Sequence, residues 1–264
     1  MFAEIDDLAL ALRLADLADA LTLARFLDEN LAVETKPDLT PVTEVDRAVE
    51  RAVRDELALA RPEDSVVGEE YGAASASEGA RRWIVDPIDG TKNYVRGIPA
   101  WGTLVALDDG RELVVGVVSA PALGRRWWAR RGEGAYVRDG MAAGDARRIR
   151  VSGVRALDAA QLSFAGLEDW AEIDRLDPVL ELTRRCWRTR SFGDFWAYML
   201  VAEGAMDIAL DPVVSVWDLA APQVIVEEAG GAFSDLAGER RPDGGDAIAT
   251  NGLLHDAALQ IIGR

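Results

Sequence analysis

Residues 83–94 read WIVDPIDGTKNY. Trp83, Ile84 and Val85 make a short apolar strand with Asp86 as its last residue, and Pro87, which has no backbone N–H, forbids further ladder pairing. The chain then turns and brings Asp89 back beside Asp86. Two carboxylates that repel each other at one strand end call for a cation between them. Gly90 and Thr91 follow at once and offer unhindered backbone N–H groups at a helix start, which places an anion site next to a cation site. For this stretch alone, the alternative is that Asp86 or Asp89 caps the helix beginning near Thr91. A phosphomonoester needs its charge neutralised and a water activated, and carboxylates with a main-chain carbonyl are the hard oxygen ligands that select Mg²⁺.

Two other acidic positions have the same character. VVGEEY (66–71) sets Glu69 and Glu70 after a short apolar strand, and SVWDLAAPQ (215–223) sets Asp218 at a helix start, since Pro222 fits best if the helix begins at about Asp218. Surface charge is the competing explanation for Glu69, and N-capping for Asp218.

The rest of the chain narrows the chemistry. Its 264 residues are 49% hydrophobic, enough for one large domain or two packed halves. Lys and Arg total 29 against 46 Asp and Glu, and the net charge of -17 argues against nucleic acid or an anionic membrane as partner. No apolar run reaches the roughly 20 residues that cross a bilayer. The start, MFAEIDDLALALRLADLADAL, is acidic where a signal peptide is basic, so the expected location is the cytoplasm. The lone Cys186 forms no intrachain disulfide, and its setting, ELTRRCWRTR, fits a half-buried position. The lone His255 lies on a last amphipathic helix, where packing explains it better than catalysis. Hydrolysis by this chain must therefore run on carboxylates and metal.

Periodicity predicts a helix over 4–29, with Ile5, Leu8, Leu12 and Ala15 at helical spacing, then a breaker run KPDLTP (36–41). Thr43 caps a second helix, whose Val45, Val49, Val53 and Leu57 recur every four residues until Arg61-Pro62. A Gly/Ala/Ser loop spans 68–79. Antiparallel pairs then turn at Asp109-Gly110 and at 132–134. From about 160 onward strands and helices alternate, which favours an α/β half with helices covering a sheet. The expected division is an α+β half over 1–150 and an α/β half over 151–264, packed as one catalytic unit.

GEE (68–70), DPIDGTKNY (86–94) and WDLAAPQVIVEEAGG (217–231) resemble the three motifs of the inositol monophosphatase family of Mg²⁺-dependent, lithium-sensitive phosphatases. The resemblance spans nearly the whole chain and keeps the motif order. It implies an alternating α-β-α-β-α sandwich, a homodimer, and two or three Mg²⁺ ions held by Glu69, Asp86, the Ile88 carbonyl, Asp89 and Asp218. It also implies that Thr91 holds the attacking water and passes a proton toward Asp46, while the Gly90 and Thr91 amides hold the phosphate. Asp46 has a second possible role, completing a capping box with Thr43. Lys36 and its loop match the family's mobile loop near the site; a solvated loop lysine is the alternative.

RSFGDFWAYMLVAEG (190–204) and APALGRRWWARRGEGAY (120–136) are most similar to the histidinol-phosphate phosphatases of that family. Such a substrate carries an ammonium and an imidazole beyond its phosphate, so its pocket needs carboxylates, and Asp194 and Asp211 are the candidates. Capping of the following helix competes for Asp194, and a turn with Pro212 competes for Asp211. Trp196 and Trp101 fit the core better than an aromatic cage. The runner-up substrates are inositol monophosphate and other sugar phosphates. An idle, partner-binding relative is a third reading, weakened because every metal position and the Thr91 and Asp46 pair are intact.

Overall fold

The computed structural model describes residues 5–37, 39–73, 79–140 and 145–263. Glu4 of the expected first helix, Asp38 of KPDLTP and residues 74–78 of the expected Gly/Ala/Ser loop lie outside the described residues. The helices are α1 (Asp7–Arg25), α2 (Glu44–Ala60), α3 (Thr91–Val95), α4 (Leu167–Glu172), α5 (Leu176–Arg185), α6 (Asp194–Ala202), α7 (Val216–Glu228) and α8 (His255–Ile262). A small hairpin pairs β1 (Val33–Thr35) with β2 (Pro41–Thr43). The large sheet contains, in chain order, β3 (Ser65–Gly68), β4 (Gly72–Ala73), β5 (Arg82–Asp89), β6 (Gly102–Asp108), β7 (Leu113–Ala120), β8 (Arg125–Arg130), β9 (Gly134–Asp139) and β10 (Arg147–Ile149). Its spatial order is β10-β9-β8-β7-β6-β5-β3-β4, antiparallel except for β3 against β5. A mixed five-stranded sheet contains β11 (Gln161–Phe164), β12 (Arg188–Thr189), β13 (Ile208–Asp211), β14 (Ala232–Ser234) and β15 (Ala247–Thr250), ordered β12-β11-β13-β15-β14.

Alternation along β5 and β6 decides the layering. Trp83, Val85, Val105 and Leu107 face a core shared with Leu10, Leu14, Val49 and Val53, so α1 and α2 cover that side. Ile84, Leu104 and Ala106 face the opposite way, into a core with Phe195, Leu219 and Val224 of α6 and α7 and with Ala209 and Ala249 of the second sheet. The second sheet's other face, through Leu162, Ile208 and Ile248, packs on Val179, Leu182 and Ile261 of α5 and α8. A strand with both faces buried reads as a continuous apolar run, as WIV does. The result is the α-β-α-β-α sandwich that the resemblance implies.

Three local expectations change. Helix α1 begins at Asp7 because Asp6 caps it, accepting the Leu8 amide at 2.8 Å, and stops at Arg25, where Phe26 turns extended and Leu27 takes φ 68. Strand β5 does not end at Asp86: a bulge between Asp86 and Asp89 absorbs Pro87, and pairing resumes at Asp89 opposite Gly102. The Thr103 hydroxyl donates to the Pro87 carbonyl at 2.7 Å and holds that bulge. Helix α7 begins at Val216, not at Asp218; Ser215 and Asp218 form a capping box, and Pro222 lies inside the helix. The missing Pro222 N–H costs the bond that would reach the Asp218 carbonyl, a loss tolerated next to the first turn.

Candidate active site

The bulge turns Asp86 and Asp89 toward the N-terminal turn of α7, which carries Asp218. Carboxylate oxygens of these three residues lie within 4.8 Å of one another. Burial, and then Glu69, Asp89 and Asp218, push the Asp86 carboxyl well above its ordinary range. Burial, then Asp194 and Asp218, do the same to Asp89. Asp218 is raised to about 6, chiefly by burial, against the Ser215 N–H that it accepts at 2.7 Å. Three carboxylates that the fold forces together make a candidate cation site. Donor atoms around one octahedral Mg²⁺ are about 3–4 Å apart, so this all-oxygen set fits such an ion.

Glu69 lines the same cavity, of about 290 Å³, along with Asp86, Asp89, Thr91 and Asp218. Its carboxylate accepts from Lys36 Nζ at 2.7 Å, and Glu70 accepts from the same ammonium at 2.6 Å. Burial opposes the charge on Lys36, yet the two glutamates hold its pKa above the ordinary value. Lys36 is thus a half-buried, ion-paired residue at the tip of the β1–β2 hairpin, not a solvated one.

Asp46 divides its two oxygens. Oδ2 accepts the Thr43 N–H at 2.8 Å and the Thr43 hydroxyl, closing the capping box of α2. Oδ1 faces Thr91 Oγ1 at 3.3 Å. The Thr91 hydroxyl donates to the Ile88 carbonyl at 2.8 Å. Burial raises the Asp46 carboxyl, which strengthens it as a base. Gly90 takes φ 82, a left-handed turn, and a Cβ there would meet the Ala100 carbonyl at 3.0 Å and the Asp194 carboxylate at 3.2 Å. Gly90, Thr91 and Lys92, whose amides open α3 and have no intrahelical acceptor before them, line the cavity.

Asp194 and Asp211 also line the cavity, with Lys92 and Asp169. Asp194 does not cap α6; Gly193 precedes the helix, and Asp194 is its first residue, at φ 49, with its carboxylate accepting Asn93 Nδ2 at 2.9 Å. The next amide, Phe195 N–H, donates to Asp89 at 2.6 Å. Asp211 ends β13, accepts the Tyr198 hydroxyl and is pushed up to about 7, mainly by burial.

Asp169, Asn93 and Tyr198 were not legible as site residues. Only the Asp194-to-Tyr198 spacing of four, one helical face, carries a signal for any of them. Trp101 belongs to the core, 4.9 Å from Tyr94 and edge-on to it, and Trp196 packs edge-on to Phe192 at 5.4 Å. His255 is held between Ser234 at 3.0 Å and Thr250 at 3.2 Å, away from the cavity. Burial pushes the Cys186 thiol up to about 11, away from nucleophile chemistry.

Comparisons with known proteins agree with this geometry. The histidinol-phosphatase of Streptomyces coelicolor is 54% identical over 259 residues, covering 97% of this chain and 96% of that one. The histidinol-phosphatase of Mycobacterium tuberculosis is 55% identical, covering 96% of each. A solved inositol monophosphatase from Zymomonas mobilis superposes with a TM-score of 0.84 at 30% identity, with 100% of both chains covered. The sequence profile of the inositol monophosphatase family matches residues 6–262. With its motifs, layers and acidic cavity in that arrangement, the chain belongs to the inositol monophosphatase family.

Proposed function

We propose that this chain is a Mg²⁺-dependent phosphomonoesterase that hydrolyses L-histidinol phosphate to L-histidinol and phosphate, a step of histidine biosynthesis. The observation that carries the substrate is the placement of Asp169, Asp194 and Asp211 in the same cavity as the metal carboxylates. Phosphate and metal contacts serve any ester, whereas carboxylates beyond the metal cluster can read the leaving alcohol, and histidinol is the alcohol with cations to offer. The 54–55% identity to two histidinol-phosphatases, against 30% to an inositol monophosphatase, supports the same choice.

In this reading Glu69, Asp86, the Ile88 carbonyl, Asp89 and Asp218 hold two or three Mg²⁺ ions. Bound there, the cation supplies Lewis-acid polarisation of the phosphoryl group and a more acidic water. The chain's own residues do the rest. Thr91 Oγ1 orients the attacking water, takes its proton and gives its own to Asp46 Oδ1, the oxygen that the capping box leaves free. The amides of Gly90 and Thr91 hold the phosphate, and the carboxylates of Asp194 and Asp211 receive the ammonium and imidazole. Ligands come from both 1–150 and 151–264, so the two halves act as one catalytic unit. The cytoplasmic location, homodimer and lithium sensitivity of the resemblance complete the proposal.

Inositol monophosphate or a broader range of sugar phosphates is the alternative. Phosphate release from histidinol phosphate, inositol 1-phosphate, fructose 1,6-bisphosphate and an adenosine bisphosphate, each with Mg²⁺, ranks the readings. The expected order has histidinol phosphate first; faster turnover of inositol 1-phosphate transfers the function to the alternative.

A further inference from the structure

We propose that Glu50, with Arg54, is a positioning residue for the metal ligand Glu69. The inference rests on the metal-site reading above and not on the identity of the ester.

Glu69, Glu70 and Tyr71 form the three-residue turn between the paired Gly68 and Gly72 of β3 and β4. All three turn amides have partners. Glu69 N–H donates to the Val85 carbonyl of β5 at 3.3 Å, Glu70 N–H to Glu50 Oε2 at 2.7 Å, and Tyr71 N–H to Glu50 Oε1 at 3.2 Å. Glu50 is fully buried on α2, one helical turn after Asp46, so the same helix face supports both the base and this turn. Arg54 Nε and Nη2 grip Glu50 Oε1 at 2.8 and 2.7 Å. The same guanidinium donates to the Gly72 carbonyl at 2.6 Å and the Val66 carbonyl at 3.4 Å. The pair therefore holds the turn from inside, through amides at its tip and carbonyls on both strands. Gly68 makes room for it: a Cβ there would fall 2.1 Å from Glu50 Oε1.

A buried ion pair is a costly way to stabilise a three-residue turn, and apolar packing would serve stability as well. What the pair supplies is direction. With every amide of the turn committed, the backbone that carries Glu69 is held in place, and its side chain lines the cavity with Asp86 and Asp218. Partners that orient a metal ligand from behind typically change metal affinity about 10–100-fold when lost.

The test is Mg²⁺ binding to the purified, substrate-free protein by isothermal titration calorimetry, with wild type, Glu50→Gln, Glu69→Gln and the double variant. Glu50→Gln is expected to weaken Mg²⁺ binding about 10-fold. It should also raise the Mg²⁺ concentration for half-maximal turnover while leaving kcat at saturating Mg²⁺ within about twofold. In the double variant the Glu50 effect should vanish, its Kd matching that of Glu69→Gln alone within about twofold, because Glu50 acts through Glu69. Arg54→Lys, which keeps a charge beside Glu50 but loses the fork, carries the same test if Glu50→Gln does not fold. Unchanged Mg²⁺ affinity in Glu50→Gln while Glu69→Gln is weakened overturns the Glu50 assignment alone, as does a full additional loss in the double variant. A wild type that binds no Mg²⁺ overturns the metal site and this inference with it.

Discussion

Asp218→Asn isolates the electrostatic cost of the acidic cluster. In the folded protein the Asp218 carboxyl sits at about 6 instead of 3.8, first because it is buried and then because Glu69 and Asp194 repel its charge. A carboxyl raised on folding favours the native state while it is protonated, and that contribution is lost as pH rises through the folded value. Above about 6, metal-free wild type therefore carries an ionised group against its surroundings. A shift of about two pH units corresponds to roughly 3 kcal/mol. Asp86 shares the proton and spreads part of that cost over the pair, leaving about 1–3 kcal/mol for a neutral Asn to relieve. The amide oxygen can still accept the Ser215 N–H, so the cap of α7 is kept. At roughly 2–4 °C per kcal/mol, the Asn variant in chelator near pH 8 should melt about 3–10 °C above wild type. Near pH 5 the gain should fall to about half, because the native carboxyl is then protonated while the unfolded one, at 3.8, is still ionised; it should vanish only below about 3.8. Mg²⁺ at about 100 times its Kd should raise the wild-type melting temperature by the equivalent of about 2.7 kcal/mol and the variant's far less. Circular-dichroism melts at the two pH values, with and without Mg²⁺, measure all four quantities. A variant less stable than wild type near pH 8, or a gain of equal size near pH 5, would refute the reasoning.

Thr91→Ala should lower kcat far more than KM, and Thr91→Ser should be mild, because the hydroxyl serves the transition state; steady-state kinetics with an unchanged kcat would leave Thr91 a turn residue only. Asp194→Asn and Asp211→Asn should each cost about 1.5–3 kcal/mol in kcat/KM on histidinol phosphate and little on a neutral phosphomonoester, and equal losses on both esters would assign them to the fold or the metal. Since Asp211 ionises at about 7, the preference for the cationic ester should rise with pH through that value and flatten in Asp211→Asn, as pH profiles of the two esters would reveal. Gly90→Ala forces a side chain into a left-handed turn against the Ala100 carbonyl and should cost about 1–3 kcal/mol of stability in urea titrations, along with most of the turnover.

What could be read in advance is what is local in the chain. Asp86, Pro87, Asp89 and Gly90 are neighbours, so the meeting of the two carboxylates at a break in the strand could be read from proline and glycine chemistry, and the Thr43 cap and the apolar spacing of α2 needed only four-residue periodicity. The bulge that carries β5 past Pro87 could not be read, because it depends on Thr103 from the next strand. Long-range partners were equally hidden. The Phe195 amide reaches Asp89 across 106 residues, and the Glu50 carboxylate finds its amides 20 and 21 residues away. Neither contact leaves a periodic trace, since a buried charge on a helix face has the same spacing as an apolar residue. Lys36 was legible as a loop residue, but its pairing with both Glu69 and Glu70 required the hairpin to be folded over the turn.

The unequal oxygens of Asp46 make it a tool as well as the proposed base. An asparagine there has one acceptor and one donor end, and the Thr43 amide and hydroxyl both demand the acceptor. The amide orientation is thereby dictated, with NH₂ directed at Thr91 and the hydroxyl left to donate to Ile88. Such a protein keeps the cap of α2 and the contours of the cavity, yet offers a hydrogen where the proposed proton path needs a lone pair. It would be a dead-end receptor, able to hold an intact ester long enough to be crystallised or used to fish the natural one from a cell extract.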